Sequence, residues 1–249
     1  MTLLPVGTAA AFGGVDEAQS AYLIRAGDRR ILFDLGSGAL AALAAHMPPE
    51  DLDLVVISHL HPDHCVDLLG LRVHMRWGPG MGRTLPVLGP PRLPERLAAF
   101  SGEARWEDAD GLRFAALAPG GGERDLGDGL RLCHREVPHL PPTHALRLDH
   151  RSGAFCYGAD CAPSSALVEL ASGCDLLLAE CAFGAEAVPD GVAHLNGARA
   201  GRLAAEAGVG RLLLTHCQFP DQRARAAAAA REFFAGPVEW AQPGVEIAL

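Results

Sequence analysis

Apolar and polar positions follow one another in two ways along this chain, as short extended runs and as longer segments of helical spacing, and the two kinds alternate. Extended runs read as strands at 2–7, 20–26 and 30–34, the last being Arg30-Ile31-Leu32-Phe33-Asp34 ahead of the turn Gly36-Ser37-Gly38. Ala39–His46 reads as a helix stopped by Pro48-Pro49. The apolar run Leu54-Val55-Val56-Ile57-Ser58 is a strand, followed by a helix over Cys65–Trp77 and a Gly/Pro loop at 78–82 expected to be mobile. Strand 85–89 and helix 94–101 come next, then strands at 112–118, 129–137, 144–149 and 154–158. Helix 163–172, strand 175–180, helix 196–207, strand 211–215, helix 221–234 and a final strand at 245–249 complete the pattern. Strand runs in both halves, each followed by helices, predict an α/β fold with two sheets face to face and helices outside. No internal repeat, low-complexity linker or domain boundary interrupts it, so one domain over 1–249 is expected.

Composition narrows the classes of function. An apolar content of 49% suffices for a core, and no apolar run approaches the roughly 18 residues of a membrane span. Met1-Thr2-Leu3-Leu4-Pro5-Val6-Gly7-Thr8 has no basic n-region and reads as a first strand rather than a signal peptide. The net charge of −9 argues against a nucleic-acid scaffold. All 21 basic residues are arginine, which reads as genome composition. The seven cysteines are odd in number and form no C-x-x-C pair, which argues against a disulfide framework and for a reducing cytoplasm. Cys65 and Cys217 each follow a histidine of interest, yet they read as small buried hydrophobes rather than ligands.

The candidate chemistry sits in six residues, His59-Leu60-His61-Pro62-Asp63-His64, directly after a strand. Three imidazoles and a carboxylate are the ligand set of zinc and similar divalent ions. His59 and His61 alternate and can face one metal, while Asp63 and His64 turn towards a second. More donors follow at strand ends, where open α/β folds build their sites: His139 after Val137-Pro138, Asp160 after Tyr157-Gly158-Ala159, and His216 after Leu214-Thr215. His144 follows the same strand as His139 and competes with it. His46, His74, His134 and His150 fit no ligand position and read as surface or structural.

The string H-x-H-x-D-H resembles the signature of the metallo-β-lactamase-fold hydrolases. Asp34-Leu35-Gly36-Ser37-Gly38, the cluster at 59–64, His139 eight residues before Arg147, Asp160, Asp175-Leu176-Leu177-Leu178-Ala179-Glu180, His194 and Leu214-Thr215-His216 follow the order of its ribonuclease Z-like branch. That resemblance implies a four-layer αββα sandwich with a two-metal site on its edge. It implies that His59, His61 and His139 hold one ion, that Asp63, His64 and His216 hold the other, and that Asp160 bridges them. The spacing to Arg147 favours His139 over His144. Zinc is the first expectation for both ions, with manganese or iron as substitutes.

A two-metal site acidifies water to near neutrality and neutralises charge growing on a phosphoryl or acyl oxygen. Asp63 could also aim the attacking water. His194 matches the extra histidine of the ribonuclease Z-like branch, a proton source for the departing group, with Glu180 placed to orient it and raise its pKa. Only 21 positions separate His139 from Asp160, which leaves no room for the long tRNA-gripping arm of the branch. The expectation is therefore a cytoplasmic dinuclear phosphodiesterase acting on a small or nucleotide-like substrate, without tRNA or membrane as partner; a homodimer is compatible with the chain. A lactonase or thioesterase shares H-x-H-x-D-H, and Glu180, His194 and the 56-residue stretch from Asp160 to His216 stand against it. A di-iron redox protein on this fold would carry glutamate at the second histidine and an appended flavin domain. A non-catalytic scaffold would have lost ligands, and none is missing.

Overall fold

The computed structural model describes residues 1–14, 17–104, 106 and 111–249. The first half builds β1 (Thr2–Gly7), β2 (Ala21–Ala26), β3 (Arg29–Phe33), β4 (Leu54–Val56), β5 (Leu85–Gly89) and β6 (Leu112–Ala116). The second builds β7 (Gly121–Asp125), β8 (Arg131–Val137), β9 (Thr143–His150), β10 (Gly153–Tyr157), β11 (Leu176–Glu180), β12 (Arg211–Thr215), β13 (Val238–Trp240) and β14 (Ile247–Ala248). Among the described residues they form two seven-stranded sheets, β14-β1-β2-β3-β4-β5-β6 and β13-β12-β11-β10-β9-β8-β7. The last strand returns to the first sheet, pairing Thr2 with Ala248.

Three apolar layers follow from the alternation of side chains across each strand. Phe33, Tyr22, Phe155 and Tyr157 fill the space between the sheets, with Tyr22 and Tyr157 ring centroids 5.0 Å apart. The outer face of the first sheet packs Leu23, Leu32 and Val55 against α1 (Ala39–Ala44), α3 (Leu68–Trp77) and α4 (Leu93–Ser101). The outer face of the second packs Leu177, Leu212 and Leu214 against α5 (Ser165–Ala171), α6 (Gly197–Ala207) and α7 (Arg223–Arg231). The result is helix, sheet, sheet, helix, the αββα sandwich expected from the sequence.

Some boundaries differ. The helix expected over Cys65–Trp77 is two, α2 (Pro62–Cys65) and α3, because Pro62 opens a helical turn inside the histidine loop. The segment at 78–82 forms consecutive turns, with Met81 N–H donating to the Gly78 carbonyl at 3.0 Å. Helix 221–234 splits into a 3-10 turn at Pro220–Gln222 and α7. Strands β7 and β13 carry no pattern that the sequence reading recognised. No helix among the described residues is long and apolar enough to cross a membrane.

Candidate metal centre

Strand β3 runs parallel to β4 in the first sheet, and β10, β11 and β12 run parallel to one another in the second, so the carboxyl ends of these strands gather along one edge of the sandwich. Each delivers a polar residue there: Asp34 after β3, Ser58 and His59 after β4, Asp160 after β10, Glu180 at the end of β11 and His216 after β12. Asp34, Ala159 and His216 take positive φ angles of 59°, 53° and 54°. Such angles are uncommon away from glycine, and here they turn the chain sharply at each strand end.

The seven donors expected from the sequence come together in two groups. His59, His61, His139 and Asp160 form one, and Asp63, His64, Asp160 and His216 the other, each with its donor atoms within 4.8 Å of one another. In the first, His59 Nε2 lies 3.0 Å from His61 Nδ1, and His139 Nε2 lies 3.3 Å from the same atom. Ligand atoms at zinc–nitrogen distances of about 2.0–2.1 Å in a tetrahedron stand roughly 3.4 Å apart, so the three nitrogens fit one ion. In the second, His64 Nε2 stands 3.4 Å from Asp63 Oδ2 and 3.5 Å from Asp160 Oδ1. His216 Nε2 stands 3.3 Å from Asp160 Oδ2, which is also 4.0 Å from His59 Nε2. Asp160 therefore reaches both groups.

Hydrogen bonds behind the rings set which nitrogen faces inward. His139 Nδ1 donates to the Ala193 carbonyl at 3.1 Å, so its Nε2 is bare. His64 Nδ1 donates to Asp34 Oδ2 at 2.8 Å. Ser58 Oγ donates to Asp34 Oδ2 and is left to accept from His59 Nδ1 at 3.0 Å. Ser20 Oγ stands 3.1 Å from His216 Nδ1. Metal-binding histidines carry such partners on the far nitrogen. The donor set also passes a test of need: His64 Nε2 and Asp160 Oδ1 are buried with no hydrogen-bond partner. Buried polar atoms are rarely left so, and a divalent cation would satisfy both.

Electrostatics agree with that reading. Burial and the neighbouring His64 charge hold His59 well below the usual imidazole range, and burial likewise lowers His61 and His139. These rings are neutral donors. Burial opposes a charge on His64, but the carboxylates of Asp160 and Asp34 outweigh it and raise its proton affinity. Burial likewise opposes the charge of Asp160, yet the His216 and His64 rings hold it well below the carboxylate range. The second group is thus an anionic nest that seats positive charge.

Glu180 and His194 stand beside the cluster. Burial raises the Glu180 carboxyl, opposed by the hydrogen bond from His194. Its Oε1 accepts from His194 Nδ1 at 2.7 Å, and Oε2 accepts from the Ala182 amide at 2.8 Å. Burial opposes protonation of His194, but that bond to Glu180 prevails and raises it. The His194 and His139 ring centroids are 5.0 Å apart.

Asp34, to which the sequence pattern assigns no role, also belongs to the site. Its buried carboxylate accepts from Ser58 N at 2.7 Å and from Ser58 Oγ, His64 Nδ1 and Tyr157 OH at 2.8 Å each. The signal was an acidic residue ending an apolar strand. His144 lies outside both groups, 3.3 Å from His134 through their Nδ1 atoms. Cys65 Sγ donates to the His61 carbonyl and Cys217 Sγ to that of Phe219, so neither thiol joins the cluster.

Residues 29–217 match the family described as the beta-lactamase superfamily domain. The chain is 30% identical over 248 residues to the probable metallo-hydrolase YhfI of Bacillus subtilis, covering 98% of each protein. The crystal structure of YhfI superposes with a TM-score of 0.87 at 28% identity, over 99% of this chain and 98% of that one. The ribonuclease Z of Salinispora arenicola is 30% identical over 283 residues, covering 94% of this chain and 91% of that protein. Yeast PDE1, at 12% identity and a TM-score of 0.77 over 100% and 99% of the two chains, shares the fold.

Proposed function

Because the chain belongs to the beta-lactamase superfamily of metallo-hydrolases, we propose that it is a dinuclear metal-dependent phosphodiesterase acting on a small or nucleotide-like phosphodiester. His59, His61 and His139 would hold one divalent ion and Asp63, His64 and His216 the other, with Asp160, which belongs to both groups, shared between them; zinc suits this nitrogen-and-carboxylate set, with manganese or iron as substitutes. Two such ions would supply an acidified water and neutralise charge on the phosphoryl oxygens.

The protein's own groups complete the chemistry. Asp63 accepts a hydrogen bond from the attacking water and aims it at phosphorus, and as the new P–O bond forms the water's proton passes by way of Asp63 to solvent. As the ester P–O bond breaks, its electron pair stays on the departing oxygen, which takes a proton from His194. Glu180 keeps that imidazole charged and fixes its orientation through the 2.7 Å bond. This pair carries the reading, because an alkoxide leaving group needs a proton and the His194–Glu180 couple is the donor beside the cluster. The ribonuclease Z relative is consistent with phosphodiester chemistry, while the short His139–Asp160 connection and the acidic chain favour a small substrate over tRNA.

The reading is tested by a panel of phosphodiesters, lactones and thioesters on metal-loaded protein. Phosphodiester turnover should lead; lactone turnover more than about tenfold higher, roughly 1.4 kcal/mol of transition-state preference, would make the protein an ester hydrolase. His194→Ala should cost about 10²–10⁴-fold on alkyl or nucleoside esters and far less on nitrophenyl esters, whose leaving group departs as an anion. Equal losses on both would remove His194 as proton donor.

A further inference from the structure

A cavity of about 670 Å³ adjoins the first metal group and shares His61 with it. Its walls are largely apolar and stiff, built from Leu60, Pro90, Pro91, Pro119, Pro141 and Pro142. A phosphodiester group seated among the metal ligands fills little of such a space. Cavities of roughly 300–1,000 Å³ hold molecules of drug or nucleotide size.

The charged groups in the wall are unevenly committed. Of its two carboxylates, Glu136 accepts from the Gly120 amide at 2.9 Å, and Glu95 lies in the first turn of α4, between the two arginines in sequence. Arg92 is the N-cap of α4 and Arg96 lies in its first turns, the Arg96 amide donating to the Arg92 carbonyl at 2.9 Å, and both residues line the cavity. Neither has a carboxylate partner among the described residues. The Arg96 guanidinium lies over the Phe100 ring, 4.7 Å from its centroid, which steadies the plane and leaves its N–H edge for a ligand. Arg92 sits at a φ of 70°, which fixes its position where the strand-to-helix turn meets the cavity. His144 forms part of the inner wall with its Nδ1 engaged by His134, so Nε2 is the ring atom left to a ligand.

We propose that this cavity is the specificity pocket of the site and takes a nucleotide-sized arm of the substrate, whose second phosphate is bound by Arg92 and Arg96. The inference rests on the phosphodiesterase reading above and deepens it. It selects linear nucleotide phosphodiesters bearing a further phosphate over cyclic mononucleotides, whose one phosphate is spent at the metals. Guanidinium–phosphate pairing supplies the discrimination, and the proline walls exclude water from the sugar and base.

The test compares the nitrophenyl ester of thymidine 5′-phosphate with the same ester carrying a 3′-phosphate, on metal-loaded protein. The phosphorylated ester should be favoured about tenfold or more in kcat/KM. In Arg92→Gln/Arg96→Gln that ratio should fall towards one, a readout that partial unfolding cannot imitate because both substrates see the same folded fraction. Calorimetric binding of thymidine 3′,5′-bisphosphate against thymidine 5′-monophosphate should show the same preference and the same collapse. Equal handling of the two esters, or a preference that survives the double substitution, overturns the pocket and leaves the phosphodiesterase reading standing. Absence of turnover of both esters and of bis-nitrophenyl phosphate overturns both.

Discussion

At the scale of single residues, the site depends on groups that never touch a metal. Asp34 holds Ser58, His64 and Tyr157 with one carboxylate, tying the two sheets together and fixing the His64 ring. Partners of this kind are typically worth about 10–100-fold in metal affinity. Asp34→Asn should therefore lower affinity by about that factor in chelator competition, more than a surface substitution such as Asp149→Asn. His139 and His144 make a second contrast. His139→Ala should reduce the metal content of purified protein while His144→Ala leaves it unchanged, because only His139 lies with the donors. The seven donor positions were visible in the sequence because four crowd into one six-residue cluster after an apolar run and three follow the ends of other strands, patterns local to a few residues. The role of Asp34 was not, because Tyr157 lies 123 positions away and reaches it only through the packing of the two sheets.

At the scale of elements, the long apolar strands were legible and the edge strands were not. Leu176-Leu177-Leu178 and Leu212-Leu213-Leu214 are buried between helices and the facing sheet and read as continuous runs. Strand β7, Gly121-Gly122-Glu123-Arg124-Asp125, has no buried face and hence no alternation to detect. Strand β13 is three residues long, too short to carry a period. Helix packing shows a different constraint. Gly197 and Gly201 let α6 lie directly on α7, and a methyl at either would collide with the carbonyl of Ala226 or Ala230. Gly201→Ala should cost about 1–3 kcal/mol by overpacking, read as a lowered Tm. The pair formed by His134 of β8 and His144 of β9 adds a pH dependence. Burial, aided by the His144 charge, lowers His134 to about 4. An unfolded chain therefore binds more protons than the native one below the ordinary imidazole pKa of about 6.5. Stability should fall as pH drops through that window and recover as it rises. In His134→Leu, urea midpoints measured across the window should show a flatter acid slope; an unchanged slope would assign the loss to other groups.

At the scale of the whole molecule, the fold brings to one edge donors that lie between residues 59 and 216 of the chain. Neither sheet holds the set alone: His59, His61, Asp63 and His64 follow the first, while His139, Asp160 and His216 follow the second. Metal binding should accordingly clamp the two halves together. Saturating zinc should raise the Tm, and a chelator should reverse the gain, since a ligand that binds the folded form alone stabilises it by mass action. The same arrangement underlies the central claim, that this is a two-metal enzyme rather than a mononuclear or metal-free scaffold. Elemental analysis of the loaded and desalted protein measures that claim most directly. About two divalent ions per chain are expected, falling to about one in His216→Ala; one ion or none in the unaltered protein would rule out the dinuclear site.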